Sequence, residues 1–145
     1  MKPLSDAEKN RNASLLLQLW QLFPREAYRW LLGNFSASDY KELIKKYPRG
    51  SAEFDYVAQL REFYETAGVL VTRGLLDENL FFDISYHIQP VWDKLGPVIK
   101  DWRKSADNPA IEENMEWLAK RFETWSKEVW KPHMVWKLKR IRGKK

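Results

Sequence analysis

From Phe81 to Trp102 the large apolar residues recur at intervals of three and four: Phe81, Ile84, Ile88, Val91, Leu95, Val98 and Trp102. On a helix this spacing lays them along one stripe, and such a stripe must be buried against something. A second stripe, Ile111, Met115, Leu118, Phe122, Trp125 and Val129, follows after one loop. A third precedes both, with Val57, Leu60, Tyr64, Ala67 and Val71 flanked by Tyr56, Phe63 and Leu70. The chain therefore reads as helices packed on helices. It has no alternation long enough to build a sheet and no internal repeat.

Capping and breaking residues divide the pattern. Ser5 or Asp6 starts a first helix whose apolar face carries Leu15, Leu16, Leu19, Trp20, Leu22 and Phe23, and Pro24 ends it. A short helix with Ala27, Tyr28, Trp30 and Leu31 stops near Gly33-Asn34. Ser36 with Asp39 resembles a capping box ahead of Tyr40, Leu43, Ile44 and Tyr47, and Pro48-Arg49-Gly50 breaks that helix. Ser51 caps the next segment, Gly74 terminates it, and Gly68 inside it is expected to admit a close neighbour or a slight bend. Asp77 caps the long segment. Pro90 and Pro97 share one outer heptad position there, which predicts a single helix bent convex to solvent. Asn108 caps a final helix that begins at Pro109, with Glu112, Glu113 and Glu116 at its positive end.

The expected fold is all-α, an irregular bundle of about five or six helices. Three are long: Ser51 to Arg73, Asp77 to Lys104 and Pro109 to Lys131. Residues 1–131 are expected to form one helical domain and 132–145 a basic C-terminal tail. A length of 145 residues with 44% hydrophobic content supports one ordinary core. An aromatic fraction of 14% beside 31% charged residues argues against disorder, because wide aromatic surface offsets ordering entropy.

Cysteine is absent, so disulfides, thiolate metal sites and thiol nucleophiles are excluded, and a cytoplasmic location is expected. The strongest apolar run, Leu15 to Phe23, is interrupted by Gln18 and Gln21 and is far short of a bilayer span. No export signal is read at the amino terminus. The net charge of +5 is uneven: residues 131–145 hold seven Lys or Arg and no acid, leaving 18 basic against 20 acidic side chains elsewhere.

Candidate chemistry is sparse. Neither His87 nor His133 has a carboxylate three residues before it, which removes the Glu-x-x-His pairs of a bundle metal centre. His87 reads as a boundary side chain bonding to a neighbouring helix, and no metal or cofactor is expected. Glu62 with Glu65 and Glu112 with Glu116 share helix faces. Surface pairs Arg61–Glu65 and Glu116–Lys120 explain them more simply. No glycine-rich phosphate loop is present.

Two surfaces stand out. Trp117 falls one position off its stripe, with Arg121 four residues on and Trp130 also off the stripe; they are candidates for a cation–π pair or a partner surface. In the tail, Trp130 and Trp136 interleave with Lys131, Lys137, Lys139, Arg140 and Arg142. That mixture suits phosphate attraction with base stacking, or an anionic membrane surface, or a solvated tail whose tryptophans fold back. The solvated tail ranks first.

The stretch Phe63-Tyr64-Glu65-Thr66-Ala67-Gly68-Val69-Leu70-Val71, then Gly74-Leu75-Leu76-Asp77, then Trp92, Leu95, Pro97 and Arg103, resembles a bacterial family of small helical proteins known as a domain of unknown function. The likeness runs from about Ala27 to Arg103 and implies a helical fold with no catalytic residues to carry over. Some relatives carry membrane-spanning helices ahead of the domain, and none is read here. The leading expectation is a non-enzymatic module for protein–protein interaction or self-association, with a protein partner or homodimer. Binding of nucleic acid or anionic lipid through the tail is second, and an enzyme is third.

Overall fold

The structure, a computed structural model, describes residues 3–130; the side chain of Trp130 lies outside the description, as do residues 1–2 and 131–145. Among the described residues there are seven α-helices and no strand. They are α1 (Asp6–Gln21), α2 (Arg25–Asn34), α3 (Tyr40–Lys46), α4 (Ala52–Thr72), α5 (Glu78–Ile84), α6 (Ile88–Ala106) and α7 (Glu113–Trp125), with a π-helical turn at Ser126–Trp130.

Local chemistry fixes most boundaries. Ser5 and Glu8 form a reciprocal capping box at the start of α1. Ser51 accepts from the Phe54 amide at 3.2 Å and Asp77 from the Leu80 amide at 3.0 Å. Gly74, just past α4, has φ of 70°, a left-handed conformation that glycine adopts without strain. Before α3 the cap is Asp39, which accepts from the Glu42 amide at 2.8 Å. Ser36 is not the cap; its carbonyl accepts from Lys46.

The helix expected from Asp77 to Lys104 is two helices, which is why the count exceeds five or six. Helix α5 ends at Ser85, whose amide donates to the Phe81 carbonyl at 2.8 Å, and α6 starts at Ile88. Neither proline makes the break. Pro90 is the third residue of α6, inside the first turn, where no helical acceptor awaits its missing amide. Pro97 lies within α6 on its exposed side. The apolar phase survives the break: Phe81, Ile88, Val91, Leu95 and Val98 are buried, and Ile84 and Trp102 half-buried.

The last helix also differs from expectation. Asn108 accepts from the Ala110 amide in a turn, Glu112 takes a left-handed φ of 54°, and α7 starts at Glu113 rather than Pro109. Its cap comes from another helix: Glu65 on α4 accepts from the Asn114 amide at 2.8 Å. Met115, Leu118, Phe122 and Trp125 are buried, while Val129 beyond the helix is exposed.

Helix α4 is the hub. It packs most extensively on α7 and next on α2, while α3 and α7 both pack on α6. Gly68 is the close-approach position between α4 and α7. A Cβ there would run into the Asn114 carbonyl oxygen and stand 2.7 Å from its carbon. The expected Arg61–Glu65 pair is not formed. Arg61 reaches Glu112 at 2.9 Å, and Glu116 binds Arg103 at 2.6 Å as well as the expected Lys120 at 2.9 Å.

Candidate functional site: an apolar cleft between α3, α4 and α6

On the side of the bundle bounded by α3, three helices meet without closing. Helix α3 is only seven residues long. It is hung on α6 at one end, where the Tyr40 amide donates to Asp101 at 2.9 Å. The space left between them is a cavity of about 250 Å³. Its floor is aliphatic: Leu43 from α3, Val57 from α4 and Leu95, Val98 and Ile99 from α6. All five side chains are buried.

The rim is aromatic and cationic. Trp102, the last residue of its stripe, stacks on Tyr40 with ring centres 5.3 Å apart and planes 5° from parallel. The Arg61 guanidinium lies 4.9 Å from the centre of the Trp102 ring. Arg61 is also committed to Glu112, whose second carboxylate oxygen is buried without a hydrogen bond. Burial pushes the Glu112 pKa up, against the pull of Arg61. Arg49, in the exposed turn between α3 and α4, donates to the Tyr40 hydroxyl at 3.2 Å. It forms no ion pair among the described residues.

No serine, histidine or carboxylate appears among the residues lining this cleft. The lining offers an apolar floor, a flat stacking surface and donors at the mouth.

The other sequence-derived candidates lie elsewhere. Trp117 is 40% exposed on α7. Arg121 is not over its ring; it makes a two-pronged contact with Glu78, at 2.8 and 2.6 Å, tying α7 to α5. The side chain of Trp130 and the tail residues Lys131, Trp136, Lys137, Lys139, Arg140 and Arg142, with His133, lie outside the described residues. His87 sits among Trp20, Phe23, Tyr28 and Tyr86, with ring centres 4.3 to 5.6 Å away. The expected hydrogen bond from His87 to a neighbouring helix is not seen at Nδ1, which is buried without a partner. Burial pushes its pKa below the ordinary value. Among the described residues no three His, Asp or Glu side chains cluster as a metal site would require, and no helix is long and apolar enough to cross a membrane.

Sequence reasoning placed Trp102 on a core stripe and Tyr40 on a buried face, and passed over Arg49 as part of a helix break. The three meet only when α3 is laid across α6, so no spacing along the chain could have grouped them.

Fold and cleft together define an all-α domain with a small apolar cleft. Residues 11–122 match the family model DUF4760, a domain of unknown function, and the chain belongs to that family. The match extends beyond the stretch from Ala27 to Arg103 in both directions, taking in most of α1 and α7. No curated protein and no solved structure matches the chain.

Proposed function

We propose that this protein is a non-catalytic helical binding domain that holds a small apolar ligand between α3, α4 and α6. The observation that carries the reading is the cavity itself, about 250 Å³ over a floor of five buried aliphatic side chains. A cavity of ~150 Å³ with such a lining is enough to stay dry and take up benzene. Beyond the Tyr40 hydroxyl, the Trp102 indole and the Arg49 and Arg61 guanidinium groups, the lining side chains are apolar, which suits holding an apolar body. A neutral ring compound such as 3-phenylpropan-1-ol should raise the melting temperature with concentration, as mass action requires for a ligand of the folded state. Val57→Phe, which fills the cavity, should remove that rise. A wild-type protein whose melting point ignores the compound contradicts the proposal.

A second reading, self-association, draws on a different surface. Leu22 and Leu75 are 74% and 52% exposed, and shallow apolar grooves at both lie between α1 and α4. A second copy of the chain set against α1 would cover them. Sedimentation over a range of concentrations tests this: a dimer that Leu22→Asp dissociates supports it, and a monomer at all concentrations rules it out.

A further inference from the structure

We infer that the ligand of the α3–α4–α6 cleft is a small amphipathic anion, one ring or a short alkyl chain ending in a carboxylate that Arg49 and Tyr40 bind at the mouth. The inference rests on the reading of the cleft as a binding site and adds what that site selects.

Size sets the first limit. At about 250 Å³ the cavity falls below the ~300–1,000 Å³ of pockets that enclose drug-sized ligands, yet exceeds what benzene needs. A single ring with a two- or three-carbon arm is the matching body. The floor offers it no hydrogen bond, so any polar group must sit at the rim.

The rim decides the sign of that group. Two guanidinium groups line the cleft, and no carboxylate does. Arg61 is already neutralised by Glu112 and stands over the Trp102 ring. Arg49 is not neutralised among the described residues, and its nearest fixed partner is the Tyr40 hydroxyl. That hydroxyl accepts from Arg49, which leaves its own hydrogen available to donate. The two groups thus present convergent donors, one charged and one neutral, on the same side of the opening. A carboxylate there accepts from both, while its apolar body lies on Leu95, Val98 and the edge of the Tyr40–Trp102 stack. An ammonium at that position would be repelled by the Arg49 guanidinium.

The test compares 3-phenylpropionate with 3-phenylpropan-1-ol, which share the body and differ in the head. Binding is read from the shift of the Trp102 indole N–H resonance, identified by its loss in Trp102→Phe. The acid should bind about tenfold more tightly than the alcohol, the factor of one charge-assisted hydrogen bond. Arg49→Gln, a change in an exposed turn, should weaken the acid about tenfold, to the level of the alcohol, and weaken the alcohol by much less. Added salt should weaken the acid alone. Equal affinities in the wild type, or an acid preference that survives Arg49→Gln, overturn the inference while the cleft reading stands. If neither compound binds, the cleft reading has failed and the inference falls with it.

Discussion

Helix α4 has two unlike sides. Toward α7, backbone approaches backbone so closely that Gly68 has no room for a methyl group, and the contact is locked by Arg61–Glu112 and by Glu65 on the Asn114 amide. Toward α3 and α6, the same helix offers Val57 to an open cavity. Both sides carry apolar residues at the same helical spacing, so hydrophobic pattern alone does not set packing density. What differs is the partner: a helix of thirteen residues clamped by charged groups on one side, and one of seven residues tethered at its end on the other.

The contrast is broken most directly by adding carbon to each side. Gly68→Ala gains helix propensity of roughly 1 kcal/mol. It nonetheless forces α7 away from α4, and a net loss of about 3 kcal/mol is expected, the upper range for overpacking against an unyielding backbone. Denaturant unfolding with an unchanged m-value measures it. Arg103→Met removes the bonds to Glu116 and to the Ile111 carbonyl from a largely buried position and should cost about 2 kcal/mol. That loss should change little with added salt, unlike that of a surface pair.

The start of α6 sharpens the contrast through pH. The partnerless Nδ1 of His87 lies among aromatic rings, and burial lowers its pKa. The folded state thus favours the neutral ring. Its contribution is fully present above the ordinary histidine value of about 6.5 and is lost as pH falls through that value toward the folded one. Wild type should lose stability over this window relative to His87→Gln, and parallel pH profiles for the two proteins would contradict the assignment. The smallest effect is expected at Val57→Ile. One more carbon enters the cavity, and stability should stay within about 1 kcal/mol of wild type. Binding of a ring compound weakens all the same.

Much of the fold was legible because its causes are local. Ser5, Ser51 and Asp77 cap from within their own segments, and the three stripes bury most of their residues in phase. The misreadings arose where a distant group decided. Asn108-Pro109 has every local mark of a helix start, yet Glu65 on α4 supplies the carboxylate that starts α7 later. Arg61 has a suitable acid four residues away and takes one on another helix, because docking against α7 brings Glu112 to it. The Ser85 break kept the heptad phase and so left no gap in the pattern. The cleft had no signature at all, since Arg49, Tyr40 and Trp102 share neither a segment nor a spacing.

Helix α4 is sealed on its α7 side, and the proposed ligand enters on the other. Nuclear Overhauser contacts between bound 3-phenylpropan-1-ol and the methyl groups of the protein test it most directly. Contacts confined to Leu43, Val57, Leu95, Val98 and Ile99 are the predicted result. Contacts confined to the exposed leucines Leu17, Leu22 and Leu75, with none to those five, would contradict it.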